Sequence, residues 1–342
     1  MQFKHRPFKI KALTAIATAL ALAVGLMASQ AAAVTKLDMT NEYSATMSLG
    51  KTDIFFADKV KELSGGSLVI TLHLGGSLGF KSKDNLDAVG DGAVPIADTI
   101  GGVLAGSDPV FLLSSLPFMA FNSKEARELY MAAKPAYEAF FKKHGQILLY
   151  ASPWSPSGLW AKKVVDSAEA LKGLKMRTYD ASGTRTLIAA GASPIQLSWA
   201  DVVPQLATKG IVGVLTSAEG GVTSKFWEHL SHFTEINYAM PLNFAHMNAD
   251  SYEGLNAEQK KAIRDAAAET DVRNWSIFDS IVEESYVKMR KNKVTITKKV
   301  PTAFQVHLSE AASVVLADWK KKTGATGAAI LQAYGKKVGR QF

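Results

Sequence analysis

An arginine and a pair of hydroxyl side chains stand at two predicted strand ends in the middle of the chain. Arg177 lies near the end of a short strand, and Thr216 with Ser217 follows the apolar strand predicted for Ile211–Leu215. In open α/β sheets, ligands bind beyond the carboxyl ends of the strands. A guanidinium and two hydroxyls can hold a small ligand through hydrogen bonds. The stretch Lys172–Gly221 therefore predicts one wall of a ligand-binding cleft.

The first third of the chain places more polar side chains at strand ends. Asn41 and Glu42 follow the strand predicted for Lys36–Thr40, and Asp98 follows the short apolar strand Val94–Ala97. Glu42 and Asp98 could bind a hydroxyl or an amine of a ligand, or could cap local backbone groups, and both alternatives stay open. We predict that Asn41 and Asp98, together with Phe118, line the opposite wall of the cleft.

Three aromatic residues are predicted to contact the ligand. Trp154 lies between two prolines in Ser152–Trp160, a segment that no regular element can cross. It is either a ligand-facing ring or an ordinary packing residue. Trp199 and Phe118 are assigned to apolar or stacking contact with the ligand.

Residues that would indicate an enzyme do not form a recognisable pattern. His229 and His232 are three residues apart, but only Glu228 is close in sequence, so a metal site is not favoured. There is no G-x-S-x-G motif and no dinucleotide or Walker glycine loop. The absence of cysteine excludes disulfides and thiolate catalysis. We expect a binding protein rather than an enzyme, with no metal and no cofactor.

The first 33 residues have the pattern of a cleaved secretory signal peptide. Four basic residues precede an apolar run, and Ala31-Ala32-Ala33 follows it as a small-residue cleavage site. The apolar run is short for a membrane span. The sequence therefore predicts export to the periplasm.

Charge and composition narrow the class of ligand. The leader carries four of the 39 Lys and Arg residues and no acidic residue, so without it the formal net charge falls from +8 to +4. A mild positive balance suits a small anion, and no basic run with interleaved aromatic residues indicates nucleic acid. The remaining length can form a large core, which usually divides into two lobes. We expect a monomer.

Helices and strands alternate along the chain, which is typical of an α/β fold. Helices are predicted near Gly183–Ala190 and Ser198–Thr208, with a loop at Ala192-Ser193-Pro194 between them. A single very long helix is predicted from Asn256 to about Arg290, where neither proline nor glycine intervenes. Such a helix is most easily explained if it spans both lobes around a hinge cleft.

The predicted division of the chain follows from two crossings between the lobes. Lobe I comprises residues 34–155 and 244–283, and lobe II comprises residues 156–243 and 284–342. The first crossing falls in the Pro- and Gly-rich segment around Trp154, and the second near Tyr238–Pro241.

The mature chain resembles the solute-binding proteins of tripartite ATP-independent periplasmic (TRAP) transporters, the DctP-like family. The similarity is strongest at Leu171–Arg177 (LKGLKMR) and at Gly191–Val202 (GASPIQLSWADV). The resemblance implies the two-lobed periplasmic binding protein fold and a salt bridge between Arg177 and a ligand carboxylate. The chemistry agrees, because a planar guanidinium donates in parallel to a carboxylate and lysine does not.

The sequence departs from the family pattern at the second strand end. The family's VDG reads Ile211-Val212-Gly213 here, and Thr216-Ser217 stands where members that bind sugar acids carry an amide. The resemblance implies that the lobes close on a small organic acid and that a TRAP membrane permease receives it for ion-coupled uptake. An ABC-type binding protein, a ligand-sensing subunit and a secreted hydrolase are the alternatives.

Overall fold

The computed structural model describes residues 1–2 and 34–342, so the predicted signal peptide lies outside the described residues apart from its first two. The strands are β1 (Thr35–Asn41), β2 (Leu68–His73), β3 (Ile96–Ile100), β4 (Gln146–Pro153), β5 (Ser157–Ala161), β6 (Lys175–Thr178), β7 (Ser193–Gln196), β8 (Gly213–Ser217), β9 (His232–Thr234), β10 (Leu242–Asn248) and β11 (Thr295–Thr297). None of the helices in this described part is long and apolar enough to cross a bilayer.

The α-helices lie between and after these strands. They are α1 (Ser48–Leu63), α2 (Asn85–Gly90), α3 (Ser123–Lys143), α4 (Ala168–Leu171), α5 (Ala181–Ala189), α6 (Val202–Ala207), α7 (Ala218–Thr223), α8 (Ala249–Glu253), α9 (Ala257–Ser276), α10 (Phe278–Lys291) and α11 (Thr302–Val338). Short 3₁₀ helices occupy Ser82–Asp84, Gly101–Gly106, Pro109–Ser115, Trp199–Asp201 and Phe226–Glu228.

The strands form two sheets, each the centre of one lobe. The five-stranded sheet has the order β2-β1-β3-β10-β4, and the six-stranded sheet has the order β11-β9-β5-β8-β6-β7. In the first sheet, β1 runs parallel to β3, while β10 runs antiparallel to β3 and β4. In the second sheet, β6 runs parallel to β7 and β8, while β5 runs antiparallel to β8 and β9. The α/β class is confirmed.

The chain crosses between the sheets three times. It leaves the first sheet between Pro153 and Ser157 and returns to it between Thr234 and Leu242. It enters the second sheet again between Asn248 and Thr295. Residues Lys36–Phe342 nevertheless form one compact unit, so the residue-by-residue division into lobes stays a prediction.

The long helix predicted from Asn256 to Arg290 is two helices, α9 and α10. Asn256 caps α9 as expected, with Oδ1 accepting from the Gln259 amide at 2.9 Å. The break falls at Ile277, whose φ of −95° and ψ of −3° leave the helical range. The break coincides with a change of packing partner, since α9 packs on α1 and β4 of lobe I and α10 packs on α7 of lobe II.

The C-terminal helix α11 also contacts both lobes. Gly324, with φ of 53° and ψ of −129°, interrupts it. Phe304 and Leu308 pack in the apolar core of lobe II. Trp319 and Tyr334 belong instead to the core of lobe I. The assignment of all residues after 284 to lobe II therefore does not follow the packing.

Two local predictions in the central stretch are wrong. The loop predicted at Ala192-Ser193-Pro194 is mostly strand β7, and its proline is tolerated because β7 lies at the edge of the sheet. The helix predicted from Ser198 is a 3₁₀ turn followed by the shorter α6. The carboxylate of Asp201, at the end of this turn, pairs with the Lys81 ammonium, 2.8 Å away.

Candidate ligand-binding site

A cavity lies between the two sheets, where the lobes meet. It contains about 280 Å³ of space not filled by atoms. Its lining comes from both lobes and consists of Tyr43, Ile100, Trp154, Ser157, Arg177, Tyr179, Trp199, Thr216, Ser217 and Pro241. A ligand held there would therefore contact both lobes.

A wider cavity, which we call the vestibule, shares part of this lining. The space not filled by atoms in it, including space open to solvent, is about 860 Å³. Tyr43, Ile100, Arg177, Tyr179 and Trp199 line both cavities. Glu42 and Lys81 from lobe I and Asp201 from lobe II also line it. The two cavities therefore meet at the Arg177 side chain and the aromatic rings around it.

Arg177 is the cation of the inner cavity. Its side chain is buried on β6, and Nε donates to the Leu197 carbonyl at 3.0 Å. The guanidinium carbon lies 5.4 Å from the Trp199 ring centre and 5.8 Å from that of Tyr179. No carboxylate of the described residues pairs with it, and the two Nη groups have no hydrogen-bond partner there. Burial lowers the pKa of the guanidinium, and nearby acidic groups such as Glu42 oppose that shift from beyond ion-pair distance. A ligand anion in direct contact would compensate the buried charge.

Three aromatic rings form a wall beside Arg177. The ring centres of Tyr43 and Trp154 are 4.9 Å apart with planes at 73°, and Trp199 lies 6.2 Å from Tyr43 and 6.4 Å from Trp154. Trp154 Nε1 donates to Asn243 Oδ1 at 2.8 Å. Trp154 thus lines the cavity and also packs, so both alternatives left open by the sequence apply. We call Tyr43, Trp154 and Trp199 the aromatic wall.

The hydroxyl groups at the end of β8 also line the inner cavity. Ser217 Oγ caps α7 by accepting from the Gly220 amide at 3.1 Å, which leaves its hydroxyl hydrogen free. Thr216 Oγ1 has no hydrogen-bond partner among the described residues. Ser157 Oγ lies 3.4 Å from Tyr179 Oη. These hydroxyls can donate to and accept from a polar ligand atom.

Asn41 and Asp98 do not line either cavity. Asn41 Nδ2 donates to Asp53 Oδ2 at 2.5 Å and to Asp98 Oδ2 at 3.1 Å, and its Oδ1 accepts from the Tyr43 amide at 2.8 Å. Tyr150 Oη donates to Asp53 Oδ1 at 2.8 Å. Asn41 therefore holds a buried pair of carboxyl groups beneath the site and the backbone of Tyr43 within it.

The buried carboxyl pair retains a proton near neutral pH. Burial raises the pKa of Asp98 to about 7, and burial together with the neighbouring Asp98 raises the pKa of Asp53. Two carboxylates without a cation between them cannot both ionise at low cost, so the pair titrates as a unit.

Glu42 lies in the vestibule and bridges the lobes. Its Oε2 accepts from the Ser82 amide at 3.2 Å in lobe I, and its Oε1 accepts from the Ala200 amide at 3.1 Å in lobe II. Each oxygen keeps a lone pair for a further donor. The structure thus shows the backbone-capping alternative for Glu42, with one of the two caps on the opposite lobe.

Phe118 lies outside both cavities. Its φ is 59°, its amide donates to the Tyr238 carbonyl at 2.8 Å, and its ring packs 6.0 Å from that of Tyr238. Of the predicted contacts, the structure brings together Arg177, Thr216, Ser217, Trp154 and Trp199, with Glu42 in the vestibule. Tyr43, Tyr179 and Ser157 also line the inner cavity but were not predicted from the sequence. Only their positions could have indicated them, since each lies within two residues of a predicted site residue or in the segment that crosses between the lobes.

No group of three or more His, Asp or Glu side chains is arranged to bind a metal in the part of the chain that the structure describes. His232 Nδ1 lies 2.9 Å from Ser231 Oγ, at the start of β9. The binding chemistry of the site therefore rests on the arginine, the aromatic wall and the hydroxyls.

The fold and this site define a class of protein, a receptor with two lobes that encloses a small solute. Residues 40–322 match the family model for bacterial extracellular solute-binding proteins, family 7 (DctP). The chain belongs to that family, whose members are solute-binding proteins and not enzymes. The resemblance inferred from LKGLKMR and GASPIQLSWADV is confirmed.

Solved structures agree with this assignment. A Bordetella pertussis extracytoplasmic solute receptor that binds pyroglutamic acid, DctP7, is 30% identical with a TM-score of 0.85, covering 88% of this chain and 99% of that chain. A marine metagenome TRAP solute-binding protein specific for pyroglutamate is 32% identical with a TM-score of 0.85, covering 89% and 99%. The ectoine/5-hydroxyectoine-binding periplasmic protein UehA of Ruegeria pomeroyi is 25% identical over 81% of this chain and 84% of its own.

Proposed function

We propose that this protein is a periplasmic receptor that captures a small monocarboxylate between its lobes and delivers it to a TRAP permease. The observation that carries the carboxylate is Arg177, a buried guanidinium in the cavity lining that forms no ion pair with the described residues. Two parallel N–H donors match the two oxygens of a carboxylate and make a strong charge-assisted pair. Without an anion, no direct ion pair compensates the buried charge.

The rest of the ligand would be compact, with a flat apolar part and one or two polar atoms. The aromatic wall offers ring faces for stacking, and the hydroxyls of Thr216, Ser217 and Ser157 offer hydrogen bonds. The inner cavity has no acidic side chain in its lining. This favours a ligand whose ring is neutral over one whose ring carries a full positive charge.

Pyroglutamate fits these requirements, because it is a small lactam ring with one carboxylate. Two structural relatives at 30% and 32% identity bind it. Ectoine also has a carboxylate on a small ring, but its ring is cationic, and the relative that binds it is 25% identical. Pyroglutamate is therefore our first candidate, and ectoine is the comparison compound.

Delivery to a permease is proposed from the family and from the relatives that are TRAP proteins. Closure around the ligand would give the permease a surface to recognise, because a ligand that contacts both lobes favours the closed state. Uptake by vesicles that contain the permease subunits should require both this protein and the ligand. Uptake at the same rate without the protein would refute the delivery step.

Isothermal titration on protein freed of ligand by unfolding and refolding tests the ligand class. We expect stoichiometric binding of pyroglutamate and an increase in melting temperature. The neutral carboxamide of pyroglutamate, which has the same ring and no negative charge, should not bind measurably. Binding of the carboxamide as tightly as the acid would overturn the carboxylate assignment, and tighter binding of ectoine would overturn the choice of a neutral ring.

A further inference from the structure

The carboxylate of Glu219 crosses from lobe II to lobe I. It is only 6% exposed, on α7, and its Oε1 accepts from the Ser48 amide at 2.6 Å. Its Oε2 accepts from Ser48 Oγ at 2.8 Å. Ser48 is the first residue of α1, so both oxygens of one carboxylate bind the start of a helix in the other lobe.

This contact compensates for a cap that α1 lacks. Met47, which precedes the helix, makes no side-chain capping bond, and the first turn contains no acidic residue. The first amides of a helix have no partner within the helix and favour a negative charge. Glu219 supplies that charge from the opposite lobe, and in an open state the same amides can bind water.

The contact lies outside the ligand site but is coupled to it through α7. Glu219 lines a separate interlobe groove with Lys51, Arg273 and Lys288, and none of these lines the inner cavity. Ser217, two residues before Glu219, lines the ligand cavity and caps the same helix. A ligand held by Ser217 and the bond from Glu219 therefore pull the same helix towards lobe I.

The contact is strongest when Glu219 is ionised. Burial raises the pKa of Glu219, and the hydrogen bonds from Ser48 and the charges of Lys51 and Lys288 offset part of that rise. Two other polar contacts join the lobes. The ion pair Lys81–Asp201 is about one-third to two-fifths exposed at the rim of the vestibule, and pairs of that kind contribute little to stability. Glu42, which accepts from the Ala200 amide, is buried but lines the vestibule, whereas the Glu219 contact lies apart from the ligand site.

We propose that Glu219 and Ser48 form an interlobe latch that stabilises the closed conformation independently of the ligand and thereby sets affinity and release for every ligand. The proposal rests on the proposed function only in assuming that closure accompanies capture. Because the latch does not contact the ligand, it changes the free energy of closure by the same amount whatever is bound. Glu219 is thus a positioning residue and Arg177 a ligand-binding residue.

The test uses interlobe distances in the ligand-free protein. The chain has no cysteine, so Lys61→Cys on α1 and Lys172→Cys in lobe II, both exposed, accept one spin label each. We expect a closed fraction without ligand that Glu219→Ala reduces strongly and Glu219→Gln reduces less, since the amide can still bond both groups of Ser48. Glu284→Ala, an exposed acid in the same groove, is the matched control and should change nothing.

The affinity measurement separates a latch from a ligand contact. Glu219→Ala should raise Kd by about 10-fold or more, by the same factor for each acid that binds, and chiefly through faster release. Ser48→Ala, which keeps the amide donor, should give a smaller effect and serves if Glu219→Ala does not fold. No closed fraction in the ligand-free protein, or distances unchanged in Glu219→Ala, would overturn the latch. Because the distances need no ligand, failure of the pyroglutamate assignment would leave this test intact.

Discussion

The guanidinium carbon of Arg177 lies 5.4 Å from the centre of the Trp199 ring, while Arg177 Nε donates to the Leu197 carbonyl two residues before that ring. The arginine and the turn that carries the tryptophan are thus held together before any ligand arrives. Both side chains line the inner cavity. A site with its charge and its aromatic face already in place loses less entropy on binding.

Arg177→Lys should abolish most of the affinity for a carboxylate. Lysine keeps the charge but cannot donate in the parallel geometry, so we expect a loss of at least about 30-fold in Kd. Titration calorimetry measures it, and Arg185→Lys, an exposed arginine on α5, is the control. Arg177→Met should leave the ligand-free melting temperature unchanged or higher, because it removes a buried charge. A large fall in that temperature would show that Arg177 serves the fold.

Trp199→Ala should weaken binding as well as remove packing on the lobe II core. The ring is half-buried and forms one side of the aromatic wall, so its loss should cost about 10- to 100-fold in Kd through lost stacking. Trp227→Ala is the control, since Trp227 packs on the lobe II core away from the cavity. It should lower the melting temperature without changing Kd. Equal effects of the two changes on affinity would contradict the assignment of the wall.

Asp98→Asn should flatten the pH dependence of stability. The pKa of Asp98 rises from 3.8 to about 7 on folding, so the folded chain binds its proton more tightly than the unfolded chain. The free energy of unfolding therefore falls as pH rises from 3.8 to about 7, and it stays lower at higher pH. The substitution should therefore increase the free energy of unfolding at pH 8, relative to its effect at pH 5, by on the order of 1–3 kcal/mol. Urea denaturation at both pH values measures this, with the exposed Asp58→Asn as control. The same slope in both variants would count against a shared buried proton.

Gly102→Ala should keep the lobes apart. A Cβ at Gly102 in lobe I would lie 2.5 Å from Cβ and Oδ2 of Asp180 in lobe II. Asp180 Oδ1 accepts a hydrogen bond from the Gly183 amide, and this bond limits how far the Asp180 side chain can move away. We expect a more open ligand-free conformation and weaker binding, measured by small-angle scattering and calorimetry. Gly106→Ala in the same 3₁₀ helix meets nothing within 4 Å and is the control. An unaltered scattering profile and Kd in Gly102→Ala would show that this contact does not limit closure.

The class of the fold and the family could be predicted from the sequence because they depend on local patterns. The strand LKMRT and the start of a helix at Asn256 each depend on a few neighbouring residues. The predictions that were wrong depend on contacts between residues far apart in the sequence. Nothing local marks the break at Ile277, which accompanies the change from packing on lobe I to packing on lobe II. Pro194 was interpreted as a loop residue because only the sheet order shows that its strand lies at an edge.

The residues at the strand ends could be recognised from the sequence pattern, and Arg177, Thr216 and Ser217 were predicted on that basis. Which of the strand-end side chains reach the cavity depends on contacts made in the folded chain. Asn41 and Asp98 lie beneath the cavity, where the side-chain amide of Asn41 donates to the carboxyl group of Asp53. Glu219 meets Ser48 across 171 positions of sequence. Partners so far apart are chosen by the path of the whole backbone, because a hydrogen bond depends on distance and angle rather than on sequence pattern.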